Sequence, residues 1–187
     1  MPPSRPNAPE PWAPPVLRTG RLVIRPFTVD DLESVHAYVR ARSAAVYGSW
    51  LGGSGPSDVA RYLADTIARY GRPPRADLGV TLDGRLVGGV AFRAVWVTPP
   101  CMEIGWVLHP ELAGRGLARE AVAALLTHLF ASFTDMTRAE ARVHVADSSG
   151  ARMLEHFGFV REGTLHMGAG EGGDAALYGL LRGERTA

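Results

Sequence analysis

One stretch constrains this chain more than any other: Met102 to Ala121, where an apolar run, a proline-stopped turn, a loop of small residues and the start of a long helix follow without interruption. Met102 to Leu108 reads as a strand, Pro110 stops it, and Gly114-Arg115-Gly116 follows. From Ala118 the apolar positions Val122, Leu125, Leu126, Leu129, Phe130 and Phe133 recur at three and four residues, the period of an amphipathic helix. The next run alternates, with Ala139, Ala141, Val143 and Val145 facing one way and Glu140, Arg142 and His144 the other, as in a strand. Strand, helix, strand in that order predicts a right-handed crossover joining two parallel strands. The glycines let a backbone approach a ligand, and the free N–H groups and dipole of the helix start favour an anion such as phosphate. An ordinary tight strand-to-helix turn has the same spacing. The loop is not a dinucleotide fingerprint, lacking the third glycine, nor a P-loop, lacking the Lys-Ser/Thr pair.

The remaining chain supplies what frames this unit. Leu22 to Arg25 is a β-type run ended by Pro26, and Thr28-Val29-Asp30-Asp31 offers an N-cap with a carboxylate three residues on. A helix with Leu32, Val35 and Val39 inward is predicted, fraying near Ser43 to Tyr47, then a glycine-rich loop from Gly48 to Gly55. Pro56-Ser57-Asp58 opens a second helix with Val59, Leu63 and Ile67 on one face, ended at Arg72-Pro73-Pro74. Leu78 to Thr81 and Arg85 to Phe92 form a hairpin through Asp83-Gly84, and Val95 to Pro100 reads as a loop because prolines do not sit inside a ladder. Asp147-Ser148-Ser149 caps a short helix carrying Met153, Leu154 and Phe157 and closed by Gly158. Phe159 to Leu165 and Ala175 to Leu181 finish as strands across the glycine-rich Gly168 to Gly173 segment. The prediction is a mixed α/β (α+β) fold: a mostly antiparallel mixed sheet of about seven strands flanked by about four helices.

A chain of 187 residues suits one domain that buries its own core. Seven prolines between Pro2 and Pro15 mark residues 1–16 as an extended or disordered tail, leaving 17–187 as the folded domain. That tail lacks the apolar run of a signal peptide, and no stretch approaches the ~20 apolar residues of a membrane span, so a soluble cytoplasmic protein is expected. Net charge is +1, which makes no case for nucleic acid or an acidic membrane as partner. All twenty basic residues are arginine, read as composition bias rather than a binding device. Six histidines show no ligand pair at zinc spacing, so no metal is expected. The single cysteine, Cys101, has no recognisable general-base partner, which argues against an acyl-cysteine route.

Five segments in order resemble the GNAT superfamily of acetyl-CoA-dependent N-acetyltransferases, specifically its RimJ/RimL-type branch. They are Arg18 to Phe27, like the branch's opening T-x-R-L-x-L-R-P; Glu103 to Pro110; the loop Ala113 to Ala118; Arg152 to Phe159; and Asp174 to Arg182. The likeness spans about Leu17 to Glu184, and together the five segments are far more specific than any one. It implies the GNAT fold with its sheet split near Leu108 and Val145.

The resemblance also implies the roles. The family's Gln/Arg-x-x-Gly-x-Gly/Ala loop, whose backbone amides hold the coenzyme A pyrophosphate, falls on Ala113, Gly114, Arg115, Gly116, Leu117 and Ala118, with Ala113 departing from the pattern. Arg115 could add a charge-assisted bond. Exposed backbone at Trp106, Val107 and Leu108 would pair with the pantetheine arm. Asn-x-x-Ser/Ala falls on Asp147 to Gly150 and departs at both ends; Asp147 either meets a pantetheine amide or only caps its helix. Glu103 is the candidate general base, with a structural ion pair as its other reading. The thiolate-protonating Tyr of many members is Leu154 here, and Tyr178 reads as a packed strand aromatic. Tyr47, Trp50, Tyr62 and Tyr70 fall where the family lines its acceptor site, or simply pack. The implied reaction is direct acetyl transfer from acetyl-CoA, the cosubstrate, to a primary amine, on a small molecule or a peptide N-terminus, by a monomer or homodimer. The rival is a non-catalytic acyl-CoA-binding regulatory module, motivated by Asp147, Gly150 and the missing tyrosine.

Overall fold

The computed structural model describes residues 12–41, 55–72, 74–97, 100–168 and 173–184. Expectations for residues 1–11, for the fraying and the glycine-rich loop across 42–54, and for the centre of the Gly168 to Gly173 segment lie outside them. The described residues form one mixed sheet: β1 (Leu17–Arg18), β2 (Leu22–Pro26), β3 (Arg75–Leu82), β4 (Arg85–Val97), β5 (Pro100–Leu108), β6 (Arg138–His144), β7 (Val160–Leu165) and β8 (Ala175–Leu181), in the spatial order β1-β2-β3-β4-β5-β6-β8-β7. Eight strands stand where about seven are predicted. The extra one is β1, two residues paired as Leu17 with Ile24 and Arg18 with Val23, too short to carry a periodic signal. Among the described residues four helices flank the sheet: α1 (Leu32–Ala41), α2 (Pro56–Arg69), α3 (Leu117–Ser132) and α4 (Ser148–His156).

Local chemistry explains the ends of these elements. The Thr28 N–H donates to Asp31 Oδ2 at 2.8 Å, the reciprocal half of a capping box, and a 3-10 turn over Val29–Asp31 leads into α1. Val35 and Val39 face inward as the spacing predicts, but Leu32 is 37% exposed and Tyr38 takes the third inner position. The Val95 to Pro100 loop is corrected: β4 continues to Val97, and Pro100 opens β5 opposite it. The first residue of a strand is a place where proline's missing N–H does little harm. Trp12 also packs edge-on to Phe92, ring centroids 6.3 Å apart, so the tail is seated on the domain from there.

Alternation along β5 divides the interior in two. Met102, Ile104 and Leu108 join the larger core with Leu117, Val122, Leu125, Leu126 and Leu129 of α3 and Leu154 of α4. Each fully buried leucine there stabilises the fold by about 1.5–3 kcal/mol. Val107 instead joins Phe27 with Val35, Tyr38 and Val39 of α1 and Val59 and Leu63 of α2. The sheet is thus covered by two helices on each face.

One strand pair positions everything that follows. β5 and β6 are parallel, as the crossover predicts, but they pair only from Cys101 with Arg138 to Ile104 with Ala141. Beyond that point Gly105 to Leu108 keep β4 on one side and have no β6 on the other. The expected split is present, and it opens at Gly105.

Candidate active site

A cavity of about 500 Å³ runs from this open stretch of β5 to the N-terminus of α3. Its walls include Trp106, Leu108, Ala113, Gly114, Gly116, Leu117 and Ala118, together with Gly150 on α4. Gly114 and Gly116 sit at φ +75° and +74°, left-handed conformations that side chains with a Cβ rarely adopt. A Cβ on Gly114 would meet nothing within 4 Å, so it is the backbone turn and not crowding that requires glycine there. Gly116 is the N-cap of α3, and the first helical bond runs from the Glu120 N–H to its carbonyl at 3.0 Å. The N–H groups of Leu117, Ala118 and Arg119 therefore have no helical acceptor, the arrangement that suits an oxyanion of a phosphate. The Ala113 N–H is different, being taken by the Pro110 carbonyl at 3.0 Å. Arg115 is exposed and does not line the cavity, and neither does Val107, whose side chain is buried in the smaller core.

The loop is held in place by residues whose purpose the sequence did not reveal. Glu120, in the first turn of α3, accepts from the Arg21 N–H at 2.9 Å and from Arg21 Nε at 2.7 Å, and from Thr19 Oγ1 as well. Arg21 Nη1 also donates to the Arg115 carbonyl at 3.0 Å. The Thr-x-Arg-Leu opening is thus a staple from the first turns of the sheet to the glycine loop. Partial burial pushes Glu120 upward, but the bonds from Thr19 and Arg21 outweigh it and hold the carboxylate below its usual range. Further wall residues that the sequence reading did not assign to the site include Arg119, Ser149, Arg152, Met153 and His156. Two of these are exposed arginines, cations at a cavity already suited to anions.

Asp147 occupies its other predicted role. Its Oδ1 accepts from the Gly150 N–H at 2.9 Å and from Ser149 Oγ at 2.8 Å, so it caps α4, and it is not among the residues lining the cavity. A Cβ on Gly150 would lie 2.7 Å from Asp147 Oδ2. The two departures from the family pattern therefore belong together, since the glycine makes room for the cap.

A second cavity, of about 410 Å³, meets β5 just upstream at Glu103, Ile104 and Gly105. Its walls come from α2, β3, β4 and β6 and are charged: Arg61, Asp65, Arg69, Arg75, Asp77, Arg93 and Arg142 stand around Glu103. Glu103 Oε2 accepts from Arg93 Nη2 at 2.8 Å and Nε at 3.2 Å, with Arg142 Nη2 3.9 Å away. These contacts converge on one oxygen. The ion-pair reading of Glu103 is therefore realised, with no bond to Oε1 among the described residues.

The aromatics divide. Tyr62 lines this cavity, its hydroxyl 3.5 Å from Asp77 Oδ1, and burial raises its pKa far above the ordinary phenol value. Tyr70 is structural: its hydroxyl donates to the Asp77 carbonyl at 2.6 Å and accepts from the Phe27 N–H at 2.8 Å, and burial pushes it up to about 12. Tyr47 and Trp50 lie outside the described residues. Leu154 is fully buried in the larger core, and Tyr178 packs there with its hydroxyl 3.3 Å from Glu155 Oε1. Cys101 is buried, and burial with the neighbouring Glu140 pushes its thiol up to about 11, so it holds little thiolate at neutral pH. Among the described residues no three His, Cys, Asp or Glu side chains converge as metal ligands, and no helix is long and apolar enough to cross a membrane.

Comparison with known proteins bears on this geometry. Residues 21–160 match the acetyltransferase (GNAT) domain family. The uncharacterized N-acetyltransferase YoaA of Bacillus subtilis is 23% identical over 173 residues, which cover 90% of this chain and 97% of that protein. A GNAT-family acetyltransferase from Bacillus anthracis superposes with a TM-score of 0.74 at 26% identity, covering 90% of this chain and 99% of its own. RimL, a ribosomal alpha-N-protein acetyltransferase solved with coenzyme A, shares the fold with a TM-score of 0.74 at 17% identity over 89% of this chain and 98% of its own. With a match that spans most of the folded residues and a sheet that splits between its two parallel strands, the chain belongs to the GNAT acetyltransferase family.

Proposed function

We propose that the chain is an N-acetyltransferase that moves the acetyl group of acetyl-CoA to a primary amine by direct attack. The observation that carries this reading is the unpaired edge of β5 from Gly105 to Leu108, where a phosphate-suited cavity and a charged cavity meet the same strand one after the other. The free amides of Leu117 and Ala118 and the loop Gly114, Arg115 and Gly116 would receive the pyrophosphate, with Ala113 a wall rather than a donor. The open backbone of Trp106, Val107 and Leu108 would pair with the pantetheine arm. Gly150 lines the thiol end of that path, and Asp147 acts indirectly by capping the helix that presents it.

Acetyl-CoA supplies the activated acyl group as a thioester. An amine reaching the open edge from the Glu103 side attacks the carbonyl carbon with its lone pair, the new C–N bond replaces the C–S bond whose electrons leave with the coenzyme A thiolate, and the nitrogen loses a proton while the thiolate gains one. Glu103 Oε1 would accept that proton directly or through one water, a role supported by its position on the wall of the charged cavity beside the open edge of β5. Leu154 supplies no acid, so the thiolate is protonated from solvent. The likeness in fold to RimL, solved with coenzyme A, supports the coenzyme assignment, and that protein's alpha-N-protein activity supports a peptide N-terminus as one acceptor class beside small amines.

Isothermal titration with acetyl-CoA, followed by a thiol-release assay over a broad amine panel, tests the reading. Binding together with thiol release is expected. Binding with no release from any amine would favour the non-catalytic acyl-CoA module, and failure to bind would overturn both.

A further inference from the structure

The charged cavity bears on what kind of amine reaches Glu103. Among the described residues its lining carries five arginines, Arg61, Arg69, Arg75, Arg93 and Arg142, against three carboxylates, Asp65, Asp77 and Glu103. The arginines are not equally occupied. Arg93 is committed to Glu103, Arg61 to Asp58 at 2.8 Å outside the lining, and Arg142 lies 3.6 Å from Glu140, which it shares with Arg138. Arg75 has one contact, 3.4 Å to Asp77. Among the described residues Arg69 has no carboxylate partner. Its side chain makes a single 3.4 Å bond to Thr66 Oγ1, and its Nε is buried with no acceptor. A guanidinium that lines a cavity with no carboxylate beside it among the described residues is available to an anionic oxygen, and the charge-assisted bond it can offer is a strong one.

Resting on the acetyltransferase reading, we infer that the acceptor is an amine whose molecule also carries an anionic group, a carboxylate or a phosphate, that docks at Arg69 with help from Arg75 while the amine reaches Glu103. The cavity joins the two ends, since α2 contributes Arg69 and β5 contributes Glu103 to the same walls. A polycationic amine such as an aminoglycoside is disfavoured by the same arginines, because like charge in a partly enclosed cavity repels it. Arginine suits this task better than lysine would, for its planar fork matches both carboxylate and phosphate.

The test uses the full chain with saturating acetyl-CoA and follows thiol release for matched pairs of amines: β-alanine against β-alaninamide, O-phosphoethanolamine against ethanolamine, and a short peptide with acidic residues after its N-terminus against its amide counterpart. At least a tenfold higher kcat/KM for the anionic member of one or more pairs is expected, and the pair that shows it identifies the source of the anion. Arg69→Gln should remove most of that preference by raising the acceptor KM while the acetyl-CoA dissociation constant stays put, and Arg69→Lys should restore part of it. Equal turnover of both members in every pair, or a preference untouched by Arg69→Gln, overturns the inference and leaves the acetyltransferase standing. Release with none of these amines overturns this inference, and the broad amine panel then decides the acetyltransferase reading separately. The wild-type pairs decide the question even if a variant fails to fold.

Discussion

The cavity from Trp106 to Ala118 is shaped at its loop by backbone and glycine, whereas the one around Glu103 is lined largely by charged side chains. In the first, two left-handed glycines and the unbonded N–H groups of α3 do the shaping, and the Arg21 and Glu120 staple holds them from behind. In the second, most of the charged wall residues are long side chains held by another, as Arg93 holds Glu103, with Arg69 the exception. The difference follows from what each must meet. A pyrophosphate is the same in every reaction and can be met by amides at a helix start, which need little side-chain ordering. An acceptor differs between enzymes, and side chains can be exchanged without moving the backbone that carries them.

If that contrast holds, changes on the acceptor side should alter turnover and changes on the loop side should alter coenzyme affinity. Glu103→Gln has the largest expected effect, a fall in kcat of roughly a hundredfold, within the usual range for a lost general base. The deficit should be greatest at low pH, where the amine most needs a base, with acetyl-CoA affinity unchanged in titration. A variant with wild-type rate and pH profile would leave Glu103 as an ion pair only. Gly116→Val comes next: a β-branched residue at φ +74° costs about 1–3 kcal/mol of strain, so the dissociation constant for acetyl-CoA should rise on the order of tenfold. Unchanged affinity would remove this loop from the site.

Glu120→Gln should act more gently and on two readouts. Because the folded carboxylate sits below its ordinary 4.5, the stability it contributes is complete above that value and is lost as pH falls through the lower folded value. Thermal melts from neutral pH down to about 3.5 should show a shallower acid slope for the variant than for the wild type, beside a several-fold weaker acetyl-CoA affinity. Parallel slopes would mean that the staple is not a source of acid sensitivity. Cys101→Ser should change least. The hydroxyl can keep the bond to Glu140, now 3.7 Å from the sulfur, and turnover should stay within about twofold, as expected for a structural cysteine. A large loss would bring the buried thiol into the chemistry.

Much of the first cavity was legible because its signals are local. Gly114 and Gly116 lie two residues apart at the start of an amphipathic helix, and a helix start exposes amides whatever surrounds it. Asp147 was legible in two ways at once, since a capping residue and a ligand contact use the same carboxylate; the 2.9 Å bond from the Gly150 N–H resolves it as a cap. The staple was hidden, because Thr19 and Arg21 lie about a hundred residues from Glu120 and no periodicity relates them. The charged cavity was hidden for a further reason. In a chain whose only basic residue is arginine, composition says nothing about which arginines gather.

By itself the sequence determined the strand-helix-strand unit, the parallel pair within an otherwise antiparallel sheet, the two inward-facing helix patterns and the glycine loop, since each depends on residues within a turn or a strand of one another. Only the tertiary structure decided where β5 and β6 part company, how Arg21 reaches Glu120, that Glu103 lies against Arg93, and that Arg69 lines the same cavity with no carboxylate partner among the described residues. Those are relations between segments far apart in the chain. They are fixed when the sheet closes on its helices, and no window of sequence contains them.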